Sequence, residues 1–202
     1  MHLHIACPLG KDQELRPHTE RSISELAKSG ICEKITWAEY KGLYIGENRN
    51  NGITESSKIW QKEFKADAFL FVDWDMDFTI SDVDDLIQSE RPVVSAAYPF
   101  KQSPEKYVAG TWRDDTCIES QWLLSETKGM QKVGFVGAGL LLVRSEAFAE
   151  IPYPYFRHVI IENGDEAKEY KEDIGFCLNL KRHGIDVFCN CEVVAGHYLN
   201  HC

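Results

Sequence analysis

The run Phe69–Thr79, FLFVDWDMDFT, constrains this chain more than any other. Four consecutive apolar residues, Phe69 to Val72, read as a strand buried on both faces, as strands of parallel sheets are. The strand runs straight into Asp73, Asp75 and Asp77. In extended backbone alternate side chains share a face, so the three carboxylates would project together. Like charges gathered at a sheet mouth need a compensating cation or solvent. In open α/β sheets the ligand crevice lies at the carboxyl ends of the strands. A hard divalent cation, Mg²⁺ or Mn²⁺, takes oxygen ligands and shares them with substrate phosphates. The strand end is therefore a candidate site for a metal that holds a diphosphate. The plainer alternative is a solvated acidic loop after a core strand.

The flanking sequence alternates strand and helix patterns. His2–Cys7 reads as a first strand turned by Pro8-Leu9-Gly10, and 19–28 as a helix closed by Gly30. A second strand covers 34–40. The polar segment 46–52, GENRNNG, leads into a helix with Ile53, Trp60 and Phe64 on one stripe. After the organising strand, Ser81 with Asp84 caps a short helix whose Leu86 and Ile87 face the core. VVSAAY is a further strand. Residues 100–130 suggest short strands and loops, and VGFVGAGLLLVR, 133–144, one glycine-interrupted strand. A short helix from Ser145, a mobile loop over 153–171, a helix opened by Glu172-Asp173 and closed by Gly184, and a last strand to Gly196-His197 complete the chain. Strands alternating with helices predict one α/β domain over 1–202, a mainly parallel central sheet flanked by helices, with a small antiparallel extension.

With 202 residues the chain suffices for one core. Its net charge of −10 argues against a nucleic-acid binder, whose phosphate contacts need a basic stripe. No apolar run is long enough for a membrane span, and the opening MHLHIACPLGKD is too short and polar for a signal peptide. Seven scattered cysteines suggest free thiols in a reducing cytoplasm. Cys189-x-Cys191 with His197, His201 and Cys202 could also be written as a zinc site, although the spacing is poor and the two cysteines lie along a strand.

Taken in order, apolar strand then D-x-D, VVSAAY, G-x-G with LLLVR, E-D-x-x-F-C and a late G-H resemble the GT-A-fold glycosyltransferases, in particular compact family-2-like enzymes that use nucleotide sugars. The resemblance runs from about Pro8 to His197. It implies a GT-A, Rossmann-like fold and a transferase moving a sugar from a nucleoside-diphosphate sugar to a glycan or other hydroxyl acceptor. Asp73 and Asp75 match the D-x-D and would hold Mn²⁺ or Mg²⁺ against the diphosphate. Asp77 either replaces Asp75 or caps the turn at Thr79-Ile80-Ser81, and the cap is preferred. His197 sits where several such enzymes have a third metal ligand. A hydrogen-bonded structural histidine is the other reading.

Glu172-Asp173 resembles the pair near the acceptor in inverting members, with Asp173 the candidate base and Glu172 the second choice. Acids at a helix N-terminus are also favoured by the dipole alone. Arg49, beside Asn50, would open a helix and meet phosphate. Pro8 and Leu9 would lie near the base of the nucleotide. Gly137, Ala138 and Gly139 suit a place where backbone approaches the donor sugar, or equally a bulge. Trp112, Trp122, Tyr153, Tyr155 and Phe156 are candidates for stacking on acceptor rings. The expected partners are thus a nucleotide sugar and an acceptor, with no nucleic acid. The oligomeric state is not expressed in the sequence. The chain is short for this fold, which suits one module of a larger protein or a small or extended glycan as acceptor.

Three other readings stand beside this one. Asp75-Met76-Asp77-Phe78-Thr79 fits the D-x-D-x-T nucleophile loop of haloacid-dehalogenase-like phosphatases, with Ser95 as a second phosphate contact. Leu15-Arg16-Pro17-His18-Thr19 echoes the end of a sugar nucleotidyltransferase signature whose glycine-rich beginning is missing. A non-catalytic, sugar-binding relic of the fold would carry the same strands.

Overall fold

The computed structural model describes all residues except 56, 165 and 198–202, and the side chains of 163 and 166 are left aside with them. Seven strands form the main sheet: β1 (His2–Gly10), β2 (Lys34–Gly42), β3 (Ala68–Val72), β4 (Val93–Ala97), β5 (Met130–Val133), β6 (Leu140–Arg144) and β7 (Val187–Val194). Their order is β5-β7-β4-β6-β3-β1-β2. The pairs β2/β1, β1/β3 and β4/β7 are parallel. Antiparallel β6 separates these parallel blocks, with Leu140 opposite Val72 and Leu141 opposite Ser95. Antiparallel β5 closes one edge.

All of β3 is buried, and its period of two divides it between the two faces. Phe69 and Phe71 enter the core under α2 (Ile45–Thr54), α4 (Ser145–Glu150) and α5 (Glu172–Arg182), packing with Ile53, Phe148 and Phe176. Leu70 and Val72 face α1 (Pro17–Lys28) and α3 (Ile80–Gln88), with Ile23, Leu26, Val83 and Leu86. Burying each such side chain contributes about 1.5–3 kcal/mol. Beside the main sheet, Ser103–Trp112 pairs antiparallel with Pro99–Phe100, Ser120–Leu124 and Phe135–Val136. That is the expected antiparallel extension. Among the described residues no helix is long and apolar enough to cross a membrane.

Several local expectations are corrected. β1 does not turn at Pro8 but stays paired through Gly10, with Leu9 fully buried. The polar segment is itself helix α2, because its buried face carries Asn48, Arg49 and Asn50 rather than apolar side chains. Trp60 lies in a 3₁₀ turn and is 83% exposed. The cap of α3 is Thr79: its Oγ1 accepts from the Asp82 amide while Asp82 accepts from the Thr79 amide. Neither Ser81 nor Asp77 supplies it, and Asp77 Oδ1 instead accepts from the Ser22 hydroxyl at 3.2 Å. The glycine-interrupted strand is three separate strands broken around Gly134 and Gly137–Gly139. The expected mobile loop contains the hairpin Val159–Asn163/Glu166–Tyr170. Its aromatic residues Tyr155, Phe156 and Tyr170 are buried, which anchors the segment.

Candidate functional site

The acidic run sits at the carboxyl end of β3. One rung past the β3/β6 pairing, the Asp73 amide donates to the Gly139 carbonyl at 2.9 Å. The Gly139 amide donates to the buried Tyr98 hydroxyl, also at 2.9 Å. The Gly137 and Gly139 Cα atoms stand so close to Tyr98 that a side chain on either would strike its hydroxyl. Of the three residues Gly137, Ala138 and Gly139, Gly139 meets Asp73 directly, and Gly137 packs with it on Tyr98.

α2 contributes Arg49. Its guanidinium, 4% exposed, bridges two carboxylates, Asp73 Oδ1 at 2.7 Å and Glu172 Oε1 at 2.6 Å, and lies over the Phe156 ring at 5.8 Å. Asn50 locks the same helix to the 153–157 segment, accepting from the Tyr155 and Phe156 amides and donating to the Phe156 carbonyl. Asn48 donates to the Leu9 carbonyl at 2.6 Å, which ties α2 to β1. Arg49 lies inside the helix rather than opening it, and two of its nitrogens are committed to carboxylates. The three consecutive polar residues 48–50 carry no period that would mark a buried polar seam.

Asp75, only 3% exposed, has two partners. Lys101 donates to Oδ2. His197 Nε2 stands 3.9 Å from Oδ1. The imidazole is oriented from behind, because its Nδ1 lies 2.9 Å from the Pro99 carbonyl and must donate to it. Nε2 is thereby turned toward Asp75. The short pairing of Gly196–His197 with Met76–Asp77 is what brings the late G-H beside the D-x-D. Among the described residues no group of three or more His, Cys, Asp and Glu could hold a metal. Of the three expected ligands, Asp75 and His197 face each other, while the Asp73 carboxylate is turned to Arg49. Two protein donors remain compatible with Mg²⁺ or Mn²⁺, which take the rest of their ligands from water and substrate phosphates. His201 and Cys202 of the alternative zinc reading lie outside the described residues. Cys189 and Cys191 are fully buried in β7, their sulfurs 4.0 Å apart.

Glu172 and Asp173 open α5. Glu172 serves Arg49, while Asp173 Oδ1 accepts from the Ile174 amide at 2.8 Å. Desolvation pushes the Asp173 carboxyl above the usual aspartate range, and Glu172 and Asp73 add to this against the pull of Arg49. Asp173 also lines a cavity of about 350 Å³ whose wall carries Phe100, Trp112, Trp122, Phe135 and Tyr170. Trp112 and Trp122 therefore meet the cavity, whereas Tyr155 and Phe156 are core, and Tyr153 packs at the surface on Trp60. A larger cavity, about 620 Å³ between Lys132, Lys181 and Asp186, contains none of the acidic run.

The segment echoing a nucleotidyltransferase braces the acidic turn: the Arg16 amide and the Thr19 hydroxyl both donate to the Trp74 carbonyl at 2.9 Å. Ser95 is buried in β4 and donates to the Ala96 carbonyl at 2.7 Å, which leaves it no reach to a phosphate at the acidic run. Sequence reasoning missed Lys101 and Tyr98. A lysine two residues past VVSAAY-P, in a hairpin turn, was the signal for the first.

No protein-family model and no curated protein matches the chain. Among solved structures it is similar to A197 from STIV, with 16% identity and TM-score 0.63, covering 98% of this chain and 86% of that one. That likeness establishes a shared fold. GalNAc-T7, solved with UDP, GalNAc and Mn²⁺, aligns over 94% of this chain and 37% of its own, with 14% identity and TM-score 0.48. A Drosophila β1,4-galactosyltransferase 7 mutant, in complex with manganese, UDP-Gal and xylobiose, aligns over 98% and 71%, with 14% identity and TM-score 0.47.

Proposed function

We propose that this chain is a metal-dependent glycosyltransferase that moves a sugar from a nucleoside-diphosphate sugar to a hydroxyl acceptor with inversion. The observation that carries the reading is the convergence of Asp75 and an oriented His197 Nε2 at the carboxyl end of β3. Asp75 and His197 would hold Mn²⁺ or Mg²⁺, and the bound cation would stabilise the charge that grows on the leaving diphosphate. Gly137 and Gly139, whose missing side chains leave room for Tyr98, would offer backbone to the donor sugar. Arg49 fixes Asp73 and Glu172 and so sets the spacing between the strand end and α5.

Asp173 is the candidate base. Its carboxylate lines the aromatic cavity, and an acceptor hydroxyl placed there could pass its proton to it while attacking the anomeric carbon. Desolvation makes this carboxylate a stronger base than an exposed one. Aromatic walls suit the apolar face of a sugar ring. A cytoplasmic site of action is part of the same reading, resting on the free, buried cysteines among the described residues.

Thermal-shift binding tests the proposal with UDP, GDP, CDP, ADP and TDP, each with and without Mn²⁺. A metal-dependent rise with one diphosphate, lost in Asp75→Ala, is the expected result. No response to any diphosphate, together with Asp75-dependent hydrolysis of a generic phosphate ester, would instead favour the phosphatase.

A further inference from the structure

Lys101 is the site residue that the proposed chemistry does not yet use. It sits in the turn between Pro99–Phe100 and Ser103–Trp112, and its ammonium donates to Asp75 Oδ2, 5.9 Å from the Trp74 ring centroid. The Asp75 side chain is 4% exposed and that of Lys101 is 26% exposed. One carboxylate is therefore divided, one oxygen held by a lysine and the other facing His197 Nε2 at 3.9 Å. A buried carboxylate needs a counter-charge at all times. Lysine supplies one as a compact ammonium on a flexible stem, able to leave without disturbing the sheet. A divalent cation on Oδ1 would place two positive centres on the same group, where they repel each other. Arg49 is already engaged by Asp73 and Glu172, and Arg16 lies over the Trp74 ring at 4.7 Å.

We propose that Lys101 is a positioning residue that exchanges partners. It neutralises Asp75 while no divalent cation is bound, and once the cation takes Asp75 its ammonium pairs with a phosphate oxygen of the incoming diphosphate. The inference rests on the reading of Asp75 and His197 as the cation site. It gives Lys101 opposite effects on two ligands: competition with the metal and attraction for the diphosphate.

The test uses the full chain with Lys101→Met, Lys101→Gln and Lys101→Arg, the glutamine retaining a donor for Asp75 should the methionine variant fail to fold. Free Mn²⁺ is read by electron paramagnetic resonance without nucleotide, and inorganic pyrophosphate binding by calorimetry at saturating Mn²⁺. Met and Gln should each bind Mn²⁺ about five- to tenfold more tightly and pyrophosphate about five- to tenfold more weakly, with Arg close to the parent. Both affinities unchanged, or both weakened, would overturn the exchange and leave Lys101 a structural ion pair. If the parent binds no Mn²⁺, and Asp75→Asn changes nothing, the cation site itself is overturned.

Discussion

The Asp73 amide and the Gly139 carbonyl are joined by a 2.9 Å hydrogen bond that continues the β3/β6 ladder one residue past the strands. Antiparallel β6 therefore fixes where the acidic run begins, and Tyr98 in turn holds the Gly139 amide. Tyr98→Phe removes that acceptor and leaves a buried N–H unpaired. We expect a loss of about 1–3 kcal/mol in urea unfolding, with the far-ultraviolet dichroism unchanged.

Arg49 joins α2, β3 and α5 through two carboxylates, and its own side chain is almost wholly buried. Arg49→Met should cost about 3–5 kcal/mol, because it strands two carboxylates rather than removing a neutral contact. Arg49→Lys should recover only part of this, since a single ammonium lacks the fork that spans both acids. Denaturant midpoints at constant m-value measure both. A methionine variant as stable as the parent would show that the bridge is unimportant to folding.

His4 is 6% exposed in β1, with its ring nitrogens against Thr36 Oγ1 and the Tyr40 hydroxyl. Burial, with a smaller contribution from His2, lowers its pKa to about 4. Between that value and the unfolded 6.5 the unfolded chain binds the proton and the folded chain refuses it, so stability is full above pH 6.5 and declines toward pH 4. The decline attributable to His4 between pH 7 and pH 5 should be about 2 kcal/mol. His4→Gln should flatten that part of the profile. An equal slope in parent and variant would assign the acid sensitivity elsewhere.

Asp173→Asn should lower turnover by about 10²–10⁴-fold while leaving Mn²⁺ and diphosphate binding intact. The base acts ionised, and desolvation raises its carboxyl, so the parent's rate should fall on the acidic side at a higher pH than an exposed aspartate would give. Rate–pH profiles with a fixed donor concentration read this directly. Loss of donor binding in Asp173→Asn would move the residue from base to donor contact.

The strands and the acidic run were legible because burial on both faces leaves unbroken apolar runs: AFLFV and LLLVR needed no tertiary knowledge. Helix α2 was misread for the opposite reason. Its inward face is polar and satisfied by distant groups, the Leu9 carbonyl, the Phe156 backbone and the Asp73 carboxylate, so hydrophobic period says nothing there. The link between Asp75 and His197 was partly visible as two motifs, but Lys101 was not, since its partner is decided by a hairpin of low sequence regularity. Thr79 against Ser81 as the cap of α3 was a two-residue error, resolved by which hydroxyl lies on extended backbone.

Three consecutive residues of the hairpin at Pro99 serve three different groups. The Pro99 carbonyl orients His197, the Phe100 ring enters the aromatic wall and Lys101 reaches Asp75. Surface turns ordinarily absorb changes in length. Here one inserted or deleted residue would advance the alternation by half a period and exchange the directions of the phenylalanine and the lysine. Descendants of this sequence should therefore vary freely in length elsewhere, as in the 113–119 segment, and keep this turn at constant length even where its residues change.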